Sequence, residues 1–132
     1  MQSIIDPNHP SYRLGVNSMD QTHGEFIDLL NQLAVADRNG FITLFAKLVE
    51  HTHAHFESEM QLMQLCAFPA IREHTDEHQR VLGELDRLGE KVARGSIAIG
   101  RDYVNNHLPS WFDLHASTMD SALAAHLKSC AL

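Results

Sequence analysis

A histidine and a glutamate, His55 and Glu59, stand in this sequence where the core of a helix would normally carry leucine or isoleucine. Being four residues apart, they point the same way on a helix. The apolar stripe of their segment runs through Phe41, Leu44, Leu48 and Leu62. A glutamate is almost never fully buried unless it is paired. A metal ion is the strongest partner for this pair, because a bound cation offsets the cost of burying the carboxylate.

The composition is rich in histidine. Ten of the 132 residues are histidines, as many as lysine and arginine together. A net charge of −7, without a basic stripe or a zinc-finger spacing, argues against nucleic-acid binding. No apolar run approaches the roughly 18 residues of a membrane span, and no signal peptide is visible, so we expect a cytoplasmic protein without a membrane partner. Cys66 and Cys130 are far apart and are expected to be free thiols.

The first half of the chain is predicted to form an arm and two helices. Residues 1–17 are expected to be irregular, because Pro7 and Pro10 discourage helix. The first helix is predicted over residues 19–36, with Ser18 as its N-cap. A turn at residues 37–40 then leads to a second helix over residues 41–66.

The second half is predicted to add two more amphipathic helices. The third has Pro69 at its first position and ends among Gly89, Gly95 and Gly100. The fourth covers residues 101–128, and Pro109 is expected to kink or restart it.

Four such helices joined by short loops predict an all-α fold, an antiparallel up-down-up-down four-helix bundle. We expect one domain over residues 1–132, with an irregular N-terminal arm at 1–17 and the bundle at 18–128. The starts of the first and third helices then lie at the same end as the ends of the second and fourth. With a rise of about 1.5 Å per residue, seven inward polar residues fall within about 10 Å of height. They are His23, His55, Glu59, His74, His78, His115 and Asp120.

These seven residues offer too many donor atoms for one tetrahedral zinc ion. The histidines give five nitrogens, and two bridging carboxylates give two oxygens to each of two ions. This set suits two iron ions, which accept mixed imidazole and carboxylate ligands. With an oxo or hydroxo bridge, one coordination position stays open for a small diatomic molecule, on the ion with only two histidines.

The spacing of His115 and Asp120 leaves their alignment open. Five residues apart, they diverge by about 140° on a regular α-helix. Either Asp120 reaches sideways to span two ions, or a local π-bulge realigns it.

Several neighbours of the seven residues are expected to support the site. Phe56, Trp111 and Phe112 are predicted to pack in the core and to line the ligand pocket. His51, one turn before His55 on the same face, is interpreted as a residue of the surrounding shell or the pocket rim. The remaining histidines carry no motif and are expected at the surface: His9, His53, His107 and His126.

Taken together, these pieces resemble the bacterial hemerythrins over residues 14–126. The matching pieces are Leu14-Gly15-Val16, Met19-Asp20 before His23, His55-Phe56 before Glu59, Phe68-Pro69, His74 with His78, and Trp111 before His115 and Asp120. The resemblance implies a four-helix bundle with a bridged diiron site that binds oxygen reversibly. It implies that His74, His78 and His115 hold one iron and that His23 and His55 hold the other. Glu59 and Asp120 would bridge the two ions.

Four positions depart from the family pattern without removing a ligand: Thr22 in place of Gln, His51 in place of Tyr, Met60 in place of Glu, and Ala116 in place of Ile. Together with Phe112 in place of Leu, Ala116 is expected to reshape the pocket over the open iron. That change bears on oxygen affinity and on the rate of autoxidation rather than on oxygen binding itself.

Three classes of function fit the sequence. We favour a non-catalytic protein that binds dioxygen or another small diatomic for transport, storage, scavenging or sensing, because the pocket carries no built-in acid or base. Sensing would require a separate protein partner. The second class is a diiron enzyme acting on peroxide or nitric oxide, although oxygen-activating diiron bundles use Glu-x-x-His pairs that are missing from the inward residues. The third is an iron buffer or a structural zinc protein.

Overall fold

The regular structure of this protein is helical throughout the part that its computed structural model describes, residues 5–6 and 9–130. The helices are α1 (Asn17–Val35), α2 (Arg38–Leu65), α3 (Ile71–Ala93), α4 (Ile97–Asn106), α5 (Leu108–His115) and α6 (Ser121–Ser129). A π-helical turn, Ala116–Asp120, joins α5 to α6. The last three helices therefore form one bent fourth member of a bundle.

The packing closes this bundle around a shared core. Helix α1 packs on α2, α2 on α3, α3 on α4, and α4 returns to α1. The predicted all-α four-helix bundle is confirmed. Among the described residues, no helix combines the length and the apolar character that crossing a bilayer requires.

The N-terminal arm is held to the first helix by an aspartate. Residues 1–4 and 7–8, including Pro7, lie outside the described part of the predicted arm. Pro10–Tyr12 forms a short 3₁₀ turn. Asp20 then accepts hydrogen bonds from the backbone N–H groups of Leu14 (2.7 Å) and Gly15 (3.1 Å). Gly15 has a φ of 82°, a conformation that favours glycine.

The predicted N-cap and first turn were both wrong by a few residues. Helix α1 begins at Asn17, so Ser18 lies inside it and Val16 is the cap residue. The predicted turn at residues 37–40 is instead the start of α2. The Asp37 side chain accepts a hydrogen bond from the Gly40 N–H at 2.8 Å, which makes Asp37 an N-cap.

Glycine and proline lie at the remaining helix ends; the end of α3 falls within the predicted range, whereas its start does not lie at the predicted residue. Pro69 precedes α3, which begins at Ile71 rather than at the proline. Gly95, with a φ of 101°, follows the end of α3, whereas Gly100 lies inside α4. A Cβ on Gly100 would lie 2.7 Å from the Val92 side chain, so this glycine allows the close packing that starts the fourth helix before residue 101.

Pro109 was predicted to kink or restart the fourth helix, and the structure shows a restart. It lies in the first turn of α5, and α4 ends just before it at Asn106. Proline is compatible with a first turn because no helical acceptor is needed for its missing N–H.

The core is divided into two apolar clusters with a polar layer between them. The larger cluster contains Phe26, Phe56, Val81, Phe112 and Ala116. The smaller one contains Met19, Met63, Phe68 and Leu123, with Ile71 packed against it. Each of the four bundle members runs from one cluster to the other, and the predicted metal ligands lie on the stretch between. The polar layer is therefore enclosed by apolar residues above and below.

The prediction of free thiols was wrong. Cys66 and Cys130 form a disulfide, with Cα atoms 6.0 Å apart, that joins the end of α2 to the end of α6. Their separation of 64 residues carries no pairing signal by itself. The antiparallel bundle brings the two helix ends together, next to the smaller apolar cluster.

Candidate metal centre

The structure brings all seven predicted ligands into one buried layer. Each of them is less than 7% exposed, and Glu59 and Asp120 are 2% and 1% exposed. Their donor atoms form two groups, each with members within 4.8 Å of one another. The first group is Glu59, His74, His78, His115 and Asp120; the second is His23, His55 and Glu59.

In the first group, three imidazoles converge on two carboxylate oxygens. His74 Nε2 lies 2.9 Å from Glu59 Oε1 and 3.3 Å from Asp120 Oδ1. His115 Nε2 lies 3.2 Å from the same Asp120 oxygen. His78 Nε2 lies 3.5 Å from Glu59 Oε1. All three rings thus present Nε2 to one point.

Towards His23 and His55 of the second group, the same two carboxylates present their other oxygens. His55 Nε2 lies 2.5 Å from Glu59 Oε2, and His23 Nε2 lies 2.9 Å from Asp120 Oδ2. Each carboxylate therefore faces two histidines of the first group with one oxygen and one histidine of the second group with its other oxygen. This is the arrangement required of carboxylates that bridge two cations.

The π-helical turn explains how Asp120 reaches the layer. His115 and Asp120 are the residues at the two ends of this turn, and both are buried. Because π-helical hydrogen bonds run from i to i+5, the turn brings these two side chains onto one face. Of the two alternatives left by the sequence, the structure contains the π-bulge.

The donor set fits a bound cation on the evidence of its own contacts. His78 Nε2 and His115 Nε2 lie 3.2 Å apart, a contact that needs a proton or a cation between two nitrogen lone pairs. No lysine or arginine among the described residues forms an ion pair with Glu59 or Asp120, so the buried carboxylates have only histidine partners. Two metal ions would satisfy the facing nitrogens and neutralise the carboxylates together.

The histidines around the two buried carboxylates favour the ionised form of both. Burial tends to raise the pKa of Asp120, but hydrogen bonds from His115, His23 and His74 hold it well below its usual value. Burial and the neighbouring carboxylate likewise act to raise the pKa of Glu59, and hydrogen bonds from His55 and His74 leave it lowered.

Two histidines of the first group respond in opposite ways. Burial acts to lower the pKa of His74, yet its hydrogen bonds to Asp120 and Glu59 raise it to about 9. For His78, burial dominates and lowers the pKa to about 3. Without a metal, His74 therefore carries a proton at neutral pH, while His78 is a neutral imidazole.

The predicted pocket residues pack directly on the ligand rings. Phe56 is stacked on His78, with ring centroids 3.6 Å apart. Trp111 is stacked on His115 at 4.7 Å, and Phe112 meets His23 edge-on at 5.2 Å. Ala116 is fully buried in the larger apolar cluster. Between Trp111 and Phe112, the inward position belongs to Phe112, and Trp111 is half-buried. Their role in lining a ligand pocket stays a prediction.

A small opening reaches the second group from outside. It has a volume of about 10 Å³, the size of one water molecule, and lies between α1 and α2. Thr22 and Ser58 line it, together with His55 and Glu59. The opening therefore reaches the group that contains only two histidines.

Several contacts around the site carry no signal in the sequence. The Tyr12 carbonyl accepts a hydrogen bond from His23 Nδ1 at 3.2 Å, which leaves Nε2 for the site. Phe68 meets His74 edge-on at 6.2 Å. Glu77 accepts a hydrogen bond from the Trp111 indole at 2.9 Å. These partners come from the arm, from a loop and from an outward face, so helical periodicity does not reveal them.

The other histidines are mostly where they were expected. His9, His53 and His107 are exposed, and His53 pairs with Asp86 at 2.8 Å. His51 lies beside the site, its ring 6.1 Å from that of His55. The surface assignment of His126 was wrong: it is half-buried and lies 2.7 Å from the Cys66 carbonyl.

Comparison with known proteins adds independent information. The family model described as Hemerythrin HHE cation binding domain matches residues 14–127. A bacteriohemerythrin of Ralstonia nicotianae is 33% identical over 114 residues, covering 86% of this chain and 82% of that protein. A bacteriohemerythrin of Stenotrophomonas maltophilia is 25% identical over 120 residues, covering 88% and 77%. No solved structure matches significantly.

Proposed function

This chain belongs to the family of hemerythrin HHE cation-binding domains, and from that premise we propose that it is a non-haem diiron protein that binds dioxygen reversibly and does not turn it over. The observation that carries the proposal is the division of the two buried carboxylates between two groups of histidines. A site for a single ion would not require carboxylates that face two separate groups of histidines.

We assign each residue of the layer one role. His74, His78 and His115 would hold one iron, His23 and His55 would hold the other, and Glu59 and Asp120 would bridge them. When bound, the two ions supply two electrons and one open coordination position for dioxygen. That position would lie on the side of His23 and His55, where the water-sized opening reaches the layer.

Two phenylalanine side chains favour reversible binding because they exclude water from the part of the layer that they cover. Phe112 covers the face of the layer next to His23, and Phe56 covers His78. Both phenyl rings belong to the larger apolar cluster and are almost fully buried. An apolar surrounding offers no proton to a bound diatomic, which disfavours its further reaction.

One neighbour supports a second candidate, an enzyme acting on peroxide or nitric oxide. His51 lies 6.1 Å from His55, and its Nε2 is 3.2 Å from Glu25 Oε1. Its Nδ1 is buried and has no hydrogen-bond partner among the described residues. A histidine held by a carboxylate is a group that can deliver a proton to a nearby ligand.

The deciding experiment measures metal content and absorption. The protein is reduced without oxygen, exposed to oxygen and then degassed. Reversible binding predicts two irons per chain and a charge-transfer band that appears with oxygen and leaves on degassing. One-way oxidation of a fully loaded protein would contradict the proposal and favour an enzyme, a scavenger or an iron buffer. Zinc without iron in the native protein would favour a structural role.

Two histidines on α2 provide a matched pair for the ligand assignment. His55 lies in the buried layer, whereas His53 is exposed two residues earlier. We expect H55Q to lower the iron content and abolish the oxygen-dependent band, and H53Q to leave both unchanged. Replacing His51 by Gln separates the two candidate functions: a loss of turnover with peroxide, without a loss of oxygen binding, would support the enzyme.

A further inference from the structure

A second cavity lies on the outer face of the bundle, between α3 and the beginning of the fourth helix. Its volume is about 550 Å³, within the range of roughly 300–1,000 Å³ that is usual for small-molecule sites. We call it the α3–α4 groove and define it by Arg80, Arg87, Lys91, Tyr103, His107 and Trp111. None of the seven predicted ligands lines it.

The groove is basic although the protein as a whole is acidic. Arg80, Arg87 and Lys91 line it, and an adjoining cavity that shares Lys91 adds Arg38 and Arg94. Five of the ten lysine and arginine residues of a chain with net charge −7 thus lie along this surface. An anionic ligand is attracted to such a local reversal of charge.

The acidic side chains of the groove are already engaged. Glu84 pairs with Arg80 at 2.8 Å and accepts a hydrogen bond from the Tyr103 hydroxyl at 2.9 Å. Asp102 accepts hydrogen bonds from Asn106 at 2.8 Å and lies 3.1 Å from His107 Nε2. These carboxylates therefore leave the remaining cations of the groove without a partner.

Two cations of the groove are free to bind an anion. Arg87 and Lys91 form no ion pair with any residue of the described chain. They are four residues apart on α3, so they share a face, where like charges repel each other. A phosphate group between them would relieve this repulsion and accept hydrogen bonds from both.

Three aromatic rings line the groove together with Leu88 and Ile99. The Tyr103 and His107 rings are stacked with centroids 6.0 Å apart and planes 25° apart. Trp111, which is half-buried, contributes its indole. Such rings offer stacking surfaces to a planar heterocycle whatever its substituents.

We propose that the α3–α4 groove binds a planar aromatic heterocycle that carries a phosphate, the chemistry of a mononucleotide. The ring lies against Tyr103, His107 and Trp111, and the phosphate lies on Arg87 and Lys91. A flavin mononucleotide and a purine mononucleotide share this chemistry. Trp111 connects the groove to the polar layer because it also stacks on His115. Only the indole ring would then separate a bound flavin, which is a redox group, from this candidate ligand.

Calorimetric titration of the protein as isolated tests the proposal. Flavin mononucleotide and adenosine monophosphate are the two probes, with riboflavin, adenosine and inorganic phosphate as comparisons. We expect saturable one-to-one binding of at least one probe, and about 10- to 100-fold weaker binding of its dephosphorylated counterpart. Trp111 is the only tryptophan of the chain, so its emission should change with the same midpoint. Tighter binding of flavin mononucleotide would indicate a redox ligand, and tighter binding of adenosine monophosphate would indicate a purine ligand.

A double variant locates the site. R87Q/K91Q should weaken binding of the better probe about 10- to 100-fold. K47Q/R72Q makes the same change of charge outside the groove and should leave the affinity unchanged. Absence of saturable binding of both probes would overturn the proposal. Equal weakening by the two double variants, equal affinity for the dephosphorylated compound, or equally tight binding of inorganic phosphate would overturn it too. These outcomes are independent of dioxygen binding, so a failure here leaves the proposed function untouched.

Discussion

Opening the Cys66–Cys130 disulfide should cost the protein about 4 kcal/mol of stability. The bond joins residues that are 64 positions apart. In the chain-entropy model, a closed loop of this length restricts the unfolded chain by about 4 kcal/mol at 25 °C. For 132 residues, at about 2.1 cal/mol/K per residue, that difference corresponds to a decrease of about 15 °C in Tm.

The assay compares urea unfolding with and without a phosphine reductant. The C66A/C130A variant serves as the control, because the reductant has no disulfide to open in it. Any effect of the reductant on the metal centre appears in both proteins, and subtracting the control removes that effect. The remaining difference is the contribution of the cross-link.

Two results would refute this reasoning. One is a difference below about 1 kcal/mol between the reduced and oxidised wild type after the subtraction, which would mean that the loop is already restricted in the unfolded chain. The other is the detection of two reactive thiols per chain in unfolded, unreduced protein, which would mean that the bond is not formed.

Two further predictions concern the site. Replacing Phe112 by Ala removes a ring that stacks on Phe26 at 4.8 Å and meets His23 edge-on. The free energy of unfolding in urea should fall by about 3–5 kcal/mol, and Phe112→Leu should restore most of it. A loss below about 1 kcal/mol for the alanine variant would contradict this packing. Metal loading at pH 7 should release protons, because the pKa of His74 is about 9 without metal and a ligand nitrogen must lose its proton. Affinity should therefore fall as the pH is lowered, and calorimetry in two buffers of different ionisation enthalpy measures the release; binding heats that do not depend on the buffer would contradict it.

Six of the seven residues of the layer could be predicted because each interrupts an otherwise regular apolar stripe; Asp120 is the exception. A histidine or carboxylate on an apolar helical face is visible in the sequence, as at His55 and Glu59, and helix rise alone gives its height in the bundle. The π-turn before Asp120 was predictable only as one of two alternatives. Whether a π-turn forms there depends on how the helix packs on both sides of the turn, and the sequence does not show this packing.

The errors have other causes. Cys66 and Cys130 pair because two helix ends meet, and their separation in the chain carries no sign of this. Asp37 was assigned to a turn because the residues after it, including Gly40, look like a helix stop, whereas its side chain starts α2. His126 lacks a motif but finds a backbone acceptor in the loop after α2. For the disulfide and for His126 a tertiary contact decided the outcome, whereas for Asp37 a local capping hydrogen bond did.

The π-turn also means that the polar layer contains the same histidine–carboxylate module twice, in two lengths. On α2 the module is a histidine and a carboxylate one α-turn apart; on the fourth helix it is a histidine and a carboxylate one π-turn apart. Deleting one exposed residue of the turn, such as Ser117, would shorten the second module to the spacing of the first. His115 and Asp120 would stay on one face, since both spacings amount to about one turn. The fourth helix therefore has a position where the chain can change its length by one residue while the geometry of the carboxylates is retained.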